Sequence, residues 1–280
     1  GVIAKELYRN WGLETYRAQA IAARSYAVVE AAHWARRRHF DMVAGEASQA
    51  WIGETDNPTA TRAVSDTRGM LLVYDGRVVP AYYSSCCGGH AADAFETITR
   101  NPNHDIPPLA LGRQPAGRRP DCCPQAPPWA RTERLPAAEV ARRLSAWGAE
   151  AGRAGLGSIR GLSQIFVSGV NAAGRTQAIT VIDSRGTRVE IPAETFRFAI
   201  NGAPADPSRS TSGDAAPRRT LKSSNVEVAL EGEMVLVAGR GHGHGVGMCQ
   251  FGAEAMARAG RSWRDILLLY YPEAVPSRCW

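Results

Sequence analysis

Two glycine-rich junctions hold most of the side chains in this 280-residue chain that can do chemistry. One is Gly239-Arg240-Gly241-His242-Gly243-His244-Gly245-Val246-Gly247-Met248-Cys249-Gln250-Phe251-Gly252, with six glycines and two histidines in fourteen residues. Glycine at that density marks backbone at positive φ, or backbone pressed against another group. An apolar run, Met234 to Ala238, leads in and a helix-compatible run, Ala253 to Ala259, leads out. Polar groups on such a strand–loop–helix junction are a usual place for a site; the alternative is a bare turn with solvent-facing histidines. The other junction is Ser84-Ser85-Cys86-Cys87-Gly88-Gly89-His90. Its thiols and imidazole, together with Cys122 and Cys123, suit a structural zinc held by Cys87, His90, Cys122 and Cys123. In an exported protein an even count of six cysteines also suits disulfides between the doublets. Zinc, disulfides and free thiols all stay open. No ligand set with an open position is evident, which argues against a zinc hydrolase.

These residues need elements to carry them. Leu13 to Arg38 reads as a helix whose face, Ala18, Ile21, Ala22, Ser25, Val28, Val29 and Ala32, is dominated by small residues and so packs closely. Thr59 to Asp66 predicts a short helix. Met70 to Tyr74, the Asp75-Gly76 turn and Val78 to Ser84 predict a hairpin that delivers the cysteine junction. Residues 97 to 130 form a proline-rich loop, long enough to need tying down. Leu135 to Trp147 predicts a helix; Ser163–Val170, Thr176–Ile182 and Thr187–Ile191 predict a three-stranded meander. Asn225–Leu230 and Met234–Ala238 make a last hairpin, and Ser262 caps a final helix to about Leu269.

Composition narrows the class. Hydrophobic content of 44% and charge of 21% are those of a globular protein, and no apolar run approaches a membrane span. Net charge is +6, but no basic motif interleaved with aromatics appears, which argues against nucleic acid. Gly1 to Glu6 reads as an element already under way, so the chain looks like a trimmed piece of a longer one.

Taken together, the blocks resemble the stage II sporulation protein D family, which includes amidase-enhancer proteins. Val2-Ile3-Ala4-Lys5-Glu6-Leu7 resembles the family's Val-Val-Ala-x-Glu-Met segment, and Tyr16 to Ala27 its alanine-glutamine helix ending in Arg-Ser-Tyr. Ser48 to Gly53 is similar to Gln-x-Tyr-x-Gly, and Thr67-Arg68-Gly69 with Tyr82 to His90 to the Thr-x-Gly hairpin and Ser-x-x-Gly-Gly turn. Gly241 to Ala253 resembles Gly-x-Gly-His-Gly-Val-Gly-Met-Ser-Gln-x-Gly-Ala, and Tyr270-Tyr271-Pro272 also fits. The chain departs from the pattern at Leu7, at Tyr8-Arg9-Asn10 and at Cys249, where serine is usual.

The resemblance implies an exported protein of the cell wall or periplasm. It implies a lytic transglycosylase that cleaves the MurNAc–GlcNAc bond of peptide-stripped glycan, with the first-block glutamate, here Glu6, as acid/base. Zinc near the Ser-x-x-Gly-Gly turn is implied for some members. The substrate contacts that follow are Gln19, Arg24, Ser84, Gly88, Gly89, His242, His244, Gln250 and Tyr270, with Arg24 also a candidate partner for Glu6. The alternative is a non-catalytic wall-binding protein that stimulates an amidase. The expected fold is α+β, a mixed, mainly antiparallel sheet with packed helices. Residues 1–135 and 216–280 would form the core and 136–215 a smaller inserted meander lobe, with the cleft between Glu6 and the 239–252 loop.

Overall fold

A computed structural model describes residues 1–35, 39–42, 48–114, 132–202 and 221–280. The chain opens with α1 (Val2–Glu6), a short helix that stops where Leu7 turns extended. In α2 (Leu13–Trp34) Ala18, Ala20, Ile21, Ala22 and Ala23 are all buried, so neighbours close in from more than one side. The expected end at Arg38 shortens to Trp34; residues 36–38 lie outside the described residues. Asn57 caps α3 (Pro58–Asp66) by accepting from the Thr59 and Ala60 N–H groups, with Pro58 in the first turn where no donor is needed.

β1 (Met70–Tyr74) turns through Asp75 and Gly76, both at positive φ (46° and 69°), into β2 (Arg77–Val78). The long returning strand expected from Val78 to Ser84 is divided. The Val79 N–H still donates to the Leu72 carbonyl (2.9 Å), but the Leu72 N–H goes to Ser25 Oγ, so the ladder with β1 stops there and β3 (Tyr83–Ser84) joins a different sheet. After α4 (Ala94–Thr97) and three single 3-10 turns comes β4 (Glu133–Pro136), whose last two residues the sequence reading had merged into the helix. Then follow α5 (Ala137–Glu150), α6 (Ala154–Gly157), the meander β5 (Gln164–Val170), β6 (Thr176–Ile182) and β7 (Arg188–Pro192), and α7 (Ala193–Asn201). The last part is β8 (Val226–Glu231), β9 (Met234–Gly239), β10 (Met248–Cys249), α8 (Gln250–Arg258), α9 (Trp263–Tyr270) and β11 (Val275–Arg278).

The class is α+β, but the single expected sheet is four small ones among the described residues: β11-β1-β2, β10-β3, β4-β9-β8 and β5-β6-β7. The β3–β10 pair is parallel and the rest antiparallel. One core packs α2 and β1 against Val246, Met248, Ala253, Ile266, Leu267 and Tyr271. A second joins α5 and α7 to the β5-β6-β7 and β4-β9-β8 sheets through Leu144, Ile179, Phe196 and Val237. Leu221, Val226, Val235 and Val237 pack in that second core, beyond the 136–215 span assigned to the lobe from sequence. A third, smaller cluster buries Ile3 and Leu7 of α1 against Trp11, Tyr16, Ala20, Ala60 and Ala63.

Candidate active site

Backbone pairing brings the two glycine-rich junctions together. Met248 pairs with Tyr83 and Cys249 with Ser84. The Cys86 N–H donates to the His242 carbonyl (3.0 Å) and the His242 N–H to the Cys86 carbonyl (2.8 Å). Ala92 N–H donates to the Gly245 carbonyl, and Ser84 Oγ accepts from the Gly245 N–H at 3.2 Å. The contact is too close for side chains. A Cβ on Gly241 (φ 79°) would sit 2.5 Å from the Cys86 carbonyl oxygen, and one on Gly88 (φ 67°) 2.8 Å from Arg240 backbone. Both positions need glycine for conformation and for space.

A residue that sequence reasoning missed locks this junction. Arg175, at the end of the β5–β6 turn, is fully buried. Its guanidinium donates to the carbonyls of Cys87 (3.1 Å), His90 (3.1 Å) and Gly243 (3.2 Å) and to the hydroxyls of Ser223 and Ser224. Burial pulls its pKa down to about 10, which leaves it charged at neutral pH, with Glu194 favouring the charge. Burial pushes Glu194 up, but the ion pair with Arg197 prevails and holds it below the usual carboxylate range. No sequence signal marks Arg175, because its partners are carbonyls and hydroxyls scattered over three segments.

Glu6 stands at the C-terminal end of α1, half-buried, and its Oε1 accepts from the Ala50 N–H at 3.0 Å. The same corner holds Tyr83 and Phe251, which pack on the α1 cluster. Burial raises the Tyr83 phenol well above its ordinary pKa, and the nearby Glu6 charge adds to that. Tyr83 also pairs with Met248, and its backbone hydrogen-bonds the His244 ring. Tyr83 therefore links the Glu6 carboxylate to the glycine–histidine loop. Tyr8 and Trp51, 60% and 70% exposed, are close in sequence to Glu6 and to its partner Ala50. The Tyr8 ring lies 5.3 Å from Trp11 and 6.0 Å from Phe251.

The residues singled out from sequence divide by exposure. Gly89 and His242 are exposed; Gly88 and His244 are half-buried. Gln19, Ser84, Gln250 and Tyr270 are buried, so their side chains support the loop from beneath instead of facing solvent. Gln250 Nε2 approaches Gln19 Oε1 at 3.4 Å. Arg24 donates to the Thr67 and Met70 carbonyls, both at 2.9 Å, tying α2 to the start of β1 instead of pairing with Glu6. His244 Nδ1 accepts from the Val246 N–H at 3.0 Å. Burial lowers its pKa to about 4, with Arg197 and Arg175 reinforcing the shift against Glu194, so the ring is neutral at pH 7.

The zinc expectation meets only part of its ligand set. Cys87 is buried in the first core, and His90 Nδ1 engages the Ala173 carbonyl. Cys122 and Cys123 lie outside the described residues. Among the described residues no three histidine, cysteine or carboxylate side chains converge.

The comparisons with known proteins agree with the blocks. A family model described as stage II sporulation protein matches residues 1–74. The stage II sporulation protein D of Bacillus subtilis (strain 168) is 26% identical over 288 residues, covering 97% of this chain and 71% of that protein. The chain is thus similar to stage II sporulation protein D along nearly its whole length, and its first 74 residues match the family model. The amidase enhancer of the same bacterium is 26% identical over 293 residues, 97% of this chain and 39% of that protein. An uncharacterised protein of Brachyspira hyodysenteriae is 28% identical over 272 residues, 97% of this chain and 63% of that protein. The chain thus spans less than two thirds of the length of these last two relatives.

Proposed function

We propose that this protein is a peptidoglycan lytic transglycosylase that cuts the MurNAc–GlcNAc bond of peptide-stripped strands, with Glu6 as the single acid/base. The observation that carries the reading is the place of Glu6: a half-buried carboxylate, oriented by the Ala50 N–H and joined through Tyr83 to the glycine–histidine loop from the far end of the chain. In the first step the Glu6 carboxyl gives its proton to the glycosidic oxygen as the C1–O bond breaks. The C6 hydroxyl of the same MurNAc then closes on C1 and returns its proton to Glu6. No water is consumed, the product ends in 1,6-anhydro-MurNAc, and the acid is regenerated. This one-carboxylate cycle differs from hydrolysis by a flanking pair. Tyr8 and Trp51 offer exposed aromatic faces on which sugar rings can lie. The reading puts the protein at the cell wall, where its positive net charge favours the anionic polymer. Among the described residues no helix is long and apolar enough to cross a membrane.

Similarity to an amidase enhancer favours a second reading, a wall-binding helper for an amidase. Mass spectrometry of denuded glycan after incubation separates the two. Anhydro ends that disappear in Glu6→Gln are expected. Reducing ends point to hydrolysis, and binding without cleavage favours the helper.

A further inference from the structure

A cavity of about 440 Å³ lies where the glycine–histidine loop meets the second lobe, lined among others by His90, Val170, Asn225, Glu227 and Arg240. Neither Glu6 nor Tyr83 lines it. Arg240 is exposed, and among the described residues its guanidinium makes no hydrogen bond or ion pair. Its backbone is fixed: the N–H donates to the Asn225 carbonyl at 3.0 Å, and a Cβ on Gly88 would sit 3.0 Å from the Arg240 Cβ. Asn225 is buried, with Oδ1 accepting from the Thr176 N–H. One cation, one amide, one carboxylate and an exposed valine share a cavity beside the loop.

We propose that this cavity is a sugar subsite for a MurNAc unit, with Arg240 holding its lactyl carboxylate. The inference rests on the glycan reading above and names the group that makes the strand recognisable. A peptide-stripped strand carries a free lactyl carboxylate on each MurNAc. A peptide-bearing strand has an uncharged amide at the same carbon. A planar guanidinium pairs with a carboxylate through two parallel hydrogen bonds and gains no such pair from an amide. Val170 meets the apolar face of the ring, and the Asn225 amide and Glu227 carboxylate serve hydroxyls. Tyr83, beside Glu6, and His90, in the cavity wall, are separated by no more than about 25 Å of chain, a span of a few sugar units.

The test measures binding to the Glu6→Gln protein, so that turnover does not interfere. Three ligands are compared: denuded glycan, the same glycan with its lactyl carboxylates converted to methylamides, and a chitooligosaccharide of matched length, which has no lactyl group. Denuded glycan should bind roughly tenfold more tightly than the amidated form. Adding Arg240→Gln should erase that difference and leave chitooligosaccharide binding and the melting temperature unchanged. A preference that survives Arg240→Gln, or equal binding of denuded and amidated glycan before that change, overturns the assignment while the glycan reading stands. Binding to none of the three overturns both.

Discussion

Glu6 and Arg175 use burial in opposite ways. Glu6 is half-buried and accepts from the Ala50 N–H. Arg175 is wholly buried and saturates its terminal nitrogens on carbonyls and hydroxyls, which fixes its charge and its surroundings. Glu6→Gln should lower glycan cleavage by about a hundredfold or more, measured as anhydro product, with an unchanged melting curve. Arg175→Ala should cost about 3 kcal/mol in denaturant unfolding, since it strands buried carbonyls. Arg175→Lys should recover little of it, because an ammonium cannot span the same forked set of acceptors. Of the two, only Glu6 was legible in the sequence, and only through the block around it. A lone carboxylate has no pattern, and a buried arginine with carbonyl partners leaves no trace in spacing.

At the scale of elements, legibility followed locality. The Asp75-Gly76 turn, the Asn171 to Gly174 turn and the α9 cap were readable because each is decided within four residues. In that cap Ser262 Oγ accepts from the Asp265 N–H and the Asp265 carboxylate accepts from the Ser262 N–H. Ser262→Ala should cost about 1 kcal/mol in thermal unfolding. β3, β4, β10 and β11 were not read as they stand. Strands of two to four residues show no period, and their partners lie far along the chain, as in Tyr83 with Met248 and Met70 with Arg278. The loop glycines allow a graded test. Gly186 and Gly245 both have positive φ, but a Cβ on Gly186 meets open space and one on Gly245 would lie 2.7 Å from the Arg175 guanidinium. Gly186→Ala should cost about 1 kcal/mol. Gly245→Ala should cost clearly more, and it alone should speed amide hydrogen exchange across the loop.

At the scale of the molecule, the glycine–histidine loop is where both large cores meet, and this sets a pH response. His244 faces Glu194, Arg197 and Arg175, and its pKa falls from the usual 6.5 to about 4 in the folded protein. Between those values the unfolded chain takes up a proton that the folded one does not, so stability should fall as pH drops from about 6.5 toward 4. The loss from this residue should be at most roughly 3 kcal/mol, and His244→Gln should flatten that part of a stability-against-pH curve. The α+β class and the meeting of both ends of the chain were expected from the sequence. The division into four sheets and the reach of the second core to residues 221–237 were not, because hydrophobic pattern marks a buried face without saying what covers it.

The packing of α1 and α2 against α8 and α9 also sets an order of events. Glu254 Oε2 accepts from the Gly12 N–H and the Thr15 hydroxyl, and Glu14 accepts from the Trp263 N–H. The residue proposed to do the chemistry precedes α2, yet its surroundings are completed by residues beyond 245, Phe251 among them. Synthesis must therefore pass α8 before Glu6 has a site around it. A nascent chain stopped before α8 should show neither native fluorescence nor glycan cleavage, so any activity at Glu6 waits for a segment about 240 residues downstream.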